Sequence, residues 1–183
     1  MLVLFAMLIS GSSMLTTKLD RFNFLQPCTR YQESTGYQVC NGYIAINNGG
    51  LTGVGLGNST QKYMYLPEAH TDFIFPVITE EWGLIGGIIV LLAYLFILLR
   101  IIKISRHSTS LRGSIIAYGV ALYIFWHIFV NLTGVLGIAP LTGVPLPFLS
   151  YGGSNLWTLM IGLTMVQRVE IERNERIRQN IVK

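Results

Sequence analysis

The sequence predicts an all-α polytopic membrane protein with about four transmembrane helices, one large extracytoplasmic loop and a re-entrant loop rich in proline and glycine. Three observations carry that expectation. The mean hydropathy is +0.52 and only 12% of the residues are charged, against roughly a quarter in a soluble domain. No Asp, Glu, Lys or Arg occurs between Arg112 and Arg168, a stretch too long for one span of about 20 residues and long enough for two. A segment dense in acids and histidine, Tyr65 to Gly83 (YLPEAHTDFIFPVITEEWG), stands immediately before another long uncharged run.

The 183 residues read as a single membrane domain. Residues 2–17 are uncharged and slightly short of a full span, and are expected to be a helix truncated at its start. A signal peptide is the weaker reading, because no basic residue precedes the run and Gly11-Ser12-Ser13 is a poor cleavage site. Residues 18–81 are polar and rich in turn formers, among them Asn47-Asn48-Gly49-Gly50, and are expected to form the outer loop. Its run GGLTGVGLGNS superficially resembles a phosphate-binding loop but lacks the strand-to-helix setting and the Gly-Lys-Ser/Thr ending. The glycines are therefore expected to let backbones pack tightly near the membrane surface, with Lys62 the nearest cation for an anion. Cys28 and Cys40 have neither zinc spacing nor a C-x-x-C arrangement. Two free thiols are expected, a disulfide on an outer face being the alternative.

The second span is placed at residues 82–102. Thr79 is its expected cap, Glu80 and Glu81 its first-turn acids, Trp82 an interfacial aromatic, and Gly83, Gly86 and Gly87 a close-packing face. A basic loop, 103–112, leads to the third span at 113–132. The connection 133–153 holds Pro140, Pro145, Pro147 and a cluster of glycines, and cannot be a regular helix. Uncharged irregular backbone at membrane depth is tolerated where protein or a water-filled cavity satisfies it, so a re-entrant loop beside a cavity is expected. The fourth span is placed at 154–168, and the tail 169–183 is expected to be a solvated helix at the membrane surface. His127 reads as a packed, hydrogen-bonded residue rather than a ligand.

The net charge of +4 comes from thirteen basic residues that bracket apolar segments instead of forming a stripe. That pattern speaks for topology and against a nucleic-acid partner. By the positive-inside rule the 103–112 loop and the tail are cytoplasmic, which puts the acidic segment outside.

Glu68 and Asp72 would share one face of a helix, whereas in an extended segment Glu68, His70 and Asp72 would line one side. An ordinary solvated loop accounts for these residues as well as chemistry does. The chemical reading is a carboxylate acting as general base on a hydroxyl nucleophile. An unperturbed aspartate, with a pKa of about 3.9, is a weak base and would need burial or an acidic neighbour such as Glu68.

Three runs, GVGLGNSTQKYMYLPEAHTDFIF, ITEEWGLIGG and PLTGVPLPFLSYGGSN, in this order and with these intervals, resemble the SEDS family (shape, elongation, division and sporulation), the FtsW, RodA and SpoVE proteins. The first run is similar to FtsW more than to RodA. The resemblance implies a peptidoglycan glycosyltransferase of the bacterial plasma membrane that polymerises lipid II, working with a class B penicillin-binding transpeptidase in division or elongation. It implies that Asp72 is the catalytic carboxylate, with Glu68, His70 and Lys62 in support. It further implies that Ser150, Tyr151, Gly152 and Gly153 wall the cavity. No cofactor is implied with certainty; a divalent cation near Asp72 and Glu68, or Lys62, would answer the charge of the leaving pyrophosphate. The chain resembles only the C-terminal half of family members, so it is expected to be a gene fragment or truncated product that is inactive alone. A flippase for the lipid-linked precursor and a non-catalytic division scaffold are the alternatives.

Overall fold

A computed structural model describes residues 26–181 apart from residues 33 and 68. The expected first helix, 2–17, lies outside the described residues. Five α-helices follow a 3-10 turn at Pro27–Arg30: α1 Ser34–Gly49, α2 Thr60–Met64, α3 Ile74–Arg106, α4 Leu111–Val135 and α5 Gly153–Ile181. The described residues contain no strand. α3 and α4 are long and apolar enough to cross a membrane.

In its described residues, the segment expected as the outer loop is more helical than its turn formers suggest. α1 runs through Gly36, Gly42 and the Asn47-Asn48-Gly49 triplet because tertiary contacts override local propensity. A Cβ on Gly42 would lie 3.3 Å from the Phe73 ring, and one on Gly49 would lie 2.0 Å from the Thr79 carbonyl oxygen. The two glycines thus let α1 lie directly on α3. Cys28 and Cys40 are joined in a disulfide, with Cα atoms 4.9 Å apart, so the free-thiol expectation is corrected. The 3-10 turn before α1 brings the first cysteine back to the second, which spacing alone does not reveal.

α3 begins at Ile74 rather than at Trp82. It is broken at Gly83, whose φ of 72° and ψ of −175° are not helical. Residues 74–82 form an arm that turns sharply against the remainder: a Cβ on Gly87 would lie 2.7 Å from Thr79 Cγ2 and 3.4 Å from the Phe75 ring. The part after the break corresponds to the expected span. Thr79 caps nothing, since its Oγ1 donates back to the carbonyls of Phe75 (3.1 Å) and Pro76 (2.8 Å). Nor are Glu80 and Glu81 first-turn acids; they end the arm.

An uninterrupted helix would bond the Leu84 and Ile85 N–H groups to the Glu80 and Glu81 carbonyls. Here the glycine loop substitutes for both partners. Leu84 N donates to Gly50 O (2.9 Å) and Ile85 N to Leu51 O (3.4 Å), while Glu80 O and Glu81 O accept from Val54 N (2.9 Å) and Gly55 N (3.0 Å). The loop is spliced into the break, and this needs bare backbone on both sides. A Cβ on Gly53 would meet Glu81 O at 2.2 Å, and one on Gly83 would meet Leu51 O at 2.3 Å.

α4 presents Ala117, Ala121, Ile124, Ile128 and Asn131 as one buried stripe at helical spacing. With Phe75, Tyr94 and Ile101 of α3 and Leu159 and Val166 of α5, the apolar members of that stripe make the main core. A second cluster, Val39, Leu66, Ala69, Phe73, Val77 and Val135, joins α1 to the start of α3. α4 exceeds the expected third span by a few residues at each end. The segments expected as the fourth span and the tail are one continuous helix, because no proline interrupts them and Glu170–Arg173 (2.7 Å) and Arg168–Glu172 (3.2 Å) support the junction.

Gly53→Ala should destabilise the protein by at least about 2 kcal/mol, since it adds left-handed strain to a backbone collision. Gly57→Ala, at a similar φ of 78° but with open space around it, should cost only the strain of about 1 kcal/mol. Thermal unfolding of the two variants side by side checks that order.

Candidate active site

The segment His70-Thr71-Asp72-Phe73 lies between α2 and the arm of α3. Phe73 is fully buried beside Gly42 and anchors it. Three successive carbonyls are then each held by the distant part of the chain. His70 O accepts from Tyr151 N (2.8 Å), Thr71 O from the Ser150 hydroxyl, and Asp72 O from Asn131 Nδ2 (2.9 Å). The other Asn131 amide hydrogen goes to Val144 O (2.8 Å), so one side chain on α4 ties Asp72 to the 136–152 connection.

That connection is non-helical, as expected. Around residues 146–150 it forms a tight turn in which Ser150 N donates to Leu146 O (3.0 Å) and Leu146 N to Ser150 Oγ (2.8 Å). Phe148 within it has a φ of 66°, left-handed backbone that costs a non-glycine residue about 1–2 kcal/mol. The Tyr94 hydroxyl donates to Pro147 O and fixes the turn to α3. At the start of the connection Tyr43 OH donates to Leu136 O (2.9 Å), and burial pushes this phenol above its usual range, so it remains a donor.

With its backbone pinned, the Asp72 side chain is left free. It is half-buried and makes no hydrogen bond or ion pair among the described residues. Its Oδ2 lies 3.5 Å from where a Gly143 Cβ would stand, and Gly143 has a φ of 69°. The exposed His70 lines an open pocket of about 500 Å³ with Ile74, Leu149, Ser150 and Tyr151. A smaller cavity of about 230 Å³ shares Ser150 and Tyr151 and adds Gly152 and Gly153.

Of the residues singled out in the sequence, His70, Ser150 and Tyr151 line one pocket, with Gly152 and Gly153 adjoining; Asp72 is tied to them through the backbone of its segment, and its carboxylate lies by Gly143 outside the lining of either cavity. Glu68 lies outside the described residues. Lys62 is placed elsewhere: its ammonium pairs with Glu81 (3.6 Å) at the helix break and sits over the Tyr63 ring. The described residues contain no group of three or more His, Cys, Asp or Glu that could hold a metal ion. Glu68, the second carboxylate expected beside a divalent cation at Asp72, lies outside the described residues. His127 is packed on the Tyr123 ring, 4.3 Å between centroids, but its buried Nδ1 has no hydrogen-bond partner among the described residues.

A family profile, FTSW_RODA_SPOVE, described as cell cycle protein, matches residues 1–175. The chain belongs to this family. It is 44% identical over 154 residues to the probable peptidoglycan glycosyltransferase FtsW of Bacillus subtilis (strain 168), covering 84% of this chain and 38% of that protein. The FtsW of Coxiella burnetii is 41% identical over 174 residues, covering 90% of this chain and 46% of the relative. The stage V sporulation protein E of Bacillus subtilis is 42% identical over 135 residues, covering 74% and 37%. The chain therefore spans less than half the length of these relatives. Among solved structures it is similar to a chain described under "Structural coordination of polymerization and crosslinking by a peptidoglycan synthase complex", with a TM-score of 0.58 and 30% identity over 73% of this chain and 37% of that one. It is also similar to the rod shape determining protein RodA of Thermus thermophilus, crystallised as an aspartate-to-alanine mutant, with a TM-score of 0.56 and 32% identity over 72% and 40%. Together with the two apolar helices, this makes the chain a membrane protein.

Two residues of this family member, Asn131 and Tyr94, are not evident in the sequence, and a third, Glu80, has a different role from the first-turn acid expected. Asn131 is 3% exposed, and its signal is a single amide in the buried stripe of an otherwise apolar helix. Tyr94 looks like one more apolar span residue until its hydroxyl is seen on Pro147 O. Glu80, 1% exposed, accepts from the Ser59 hydroxyl, Thr60 Oγ1 (3.0 Å), Asn48 Nδ2 (3.4 Å) and Gln61 N (3.4 Å). It holds α1, α2 and the helix break in one hydrogen-bonded knot. Asn131→Leu should cost about 1–3 kcal/mol, because it orphans two half-buried carbonyls, at Asp72 and Val144. Thermal unfolding in detergent measures that loss.

Proposed function

We propose that the chain carries the catalytic carboxylate of a peptidoglycan glycosyltransferase that polymerises lipid II, with Asp72 as general base. One observation carries this reading: Asp72 is held through its carbonyl by Asn131, while its carboxylate has no partner among the described residues and so can meet a substrate hydroxyl. The 4-hydroxyl oxygen of one lipid-linked disaccharide attacks the anomeric carbon of another as Asp72 takes the hydroxyl proton. The bond from that carbon to the pyrophosphate oxygen breaks, and undecaprenyl pyrophosphate leaves. Positioning and proton removal by a fixed base contribute about 10²–10⁴ in rate. His70, Ser150 and Tyr151 line the pocket at which the acceptor sugar enters.

The names borne by the relatives support this activity, and the synthase-complex neighbour supports a crosslinking partner, a class B penicillin-binding transpeptidase. In this reading the chain crosses a bacterial plasma membrane about four times, with the 136–152 connection re-entrant and the Asp72 face extracytoplasmic. The Cys28–Cys40 disulfide supports that sidedness, since disulfides persist in oxidising compartments. The basic 103–112 loop and the charged end of α5 would then be cytoplasmic.

The test supplies the chain together with the part of a relative that it does not cover, in liposomes containing lipid II, and measures glycan strands. Asp72→Asn should reduce polymer at least about 100-fold with the assembly intact. Undiminished polymer would remove Asp72 from the mechanism, and lipid movement across the bilayer without polymer would favour a flippase. The 183 residues alone are expected to be inactive.

A further inference from the structure

At the opposite end of the helices from Asp72, α4 and α5 diverge around a third cavity. Gly113 and Val169 form its floor: a Cβ on Gly113 would lie 3.1 Å from Val169 Cγ1, so the two helices meet as closely as a glycine permits. Beyond that contact the helices leave an open volume of about 700 Å³ lined by Arg112, Arg168 and Arg176, all three exposed. Glu172 is the sole acid on its wall, and it engages only the Nε of Arg168, at 3.2 Å in an exposed pair. Neither Arg112 nor Arg176 has an acidic partner among the described residues, whereas the neighbouring Arg173 is neutralised by Glu170 at 2.7 Å. The pocket therefore keeps an excess of positive charge.

Its other wall is apolar. Ile116 and Met165 line it and are 42% and 50% exposed. They belong to the uncharged stretch that ends at Arg112 on one side and Arg168 on the other. The pocket thus stands where the hydrocarbon-facing surface of two helices gives way to charge, with guanidinium groups on the polar side and aliphatic side chains on the bilayer side. A soluble anion would use only the first half of that lining; an anionic phospholipid uses both. Guanidinium pairs with phosphate through parallel hydrogen bonds, and basic pockets between membrane helices suit acidic head groups.

We propose that this pocket binds the head group of an anionic phospholipid, phosphate among Arg112, Arg168 and Arg176, with the acyl chains along Ile116 and Met165. The site is separate from the Asp72 region and does not depend on the glycosyltransferase reading.

Native mass spectrometry of the chain, assembled with the part of a relative it does not cover and titrated with phosphatidylglycerol or phosphatidylcholine, tests it. Phosphatidylglycerol should be retained preferentially. Each arginine replaced by glutamine should weaken its binding roughly fivefold, and Arg112→Gln, Arg168→Gln and Arg176→Gln together on the order of 100-fold. Glu172→Gln should strengthen binding, by roughly fivefold, because it frees Arg168 and removes the opposing charge. This opposite sign separates the proposal from simple misfolding. Equal binding by the triple variant, equal retention of phosphatidylcholine, no gain with Glu172→Gln, or displacement of the lipid by millimolar inorganic phosphate would each overturn it.

Discussion

Three neighbouring carbonyls, at His70, Thr71 and Asp72, each receive one donor from the second half of the chain, and the candidate site depends on that. Tyr151 N, the Ser150 hydroxyl and Asn131 Nδ2 come from the irregular connection and from α4. Each bond alone contributes about 1 kcal/mol net. Their value lies in geometry: a short segment with no regular structure of its own acquires a fixed path, and Asp72 can present its carboxylate without using it for anchoring. The connection gains in return, because a run with three prolines and several glycines cannot satisfy its backbone by helix formation.

The broken helix serves the same end. If α3 ran straight through Gly83, its arm would continue along the span axis instead of turning against it. The break leaves two N–H groups and two carbonyls without helical partners, a penalty of about 1–3 kcal/mol for each group left unmade in a buried place. The glycine loop meets all four. Glu80 then gathers donors from α1 and α2 onto the last turn of the arm. The chain thus holds Asp72 from both sides, through the connection on one and the spliced arm on the other.

Much of this is legible in the amino-acid sequence. The apolar runs locate α3 and α4, the prolines and glycines mark the connection as non-helical, and GGLTGVGLGNS reads as close backbone packing rather than phosphate binding. The rest is hidden for physical reasons. Gly42 and Gly49 look like turn formers but sit inside α1, because their missing side chains are what lets Phe73 and Thr79 approach. Gly83, expected in a packing face, is the break itself; a glycine that permits contact and one that permits a left-handed φ look identical in sequence. Glu80 suggests a helix start because acids are common there, whereas its actual partners lie up to 32 residues earlier in the chain. The cysteine pairing likewise depends on a turn that spacing cannot show.

Bonding of the irregular connection to the backbone of the Asp72 segment is what fixes the site. Tyr151 tests it well, because its residue surface is 83% exposed while its N–H is engaged with His70 O. Amide hydrogen exchange at Tyr151 should be at least about tenfold slower than in an unstructured peptide of the same sequence, and Asn131→Leu should accelerate it by loosening the joint. Exchange at the free-peptide rate in the folded protein would contradict the account.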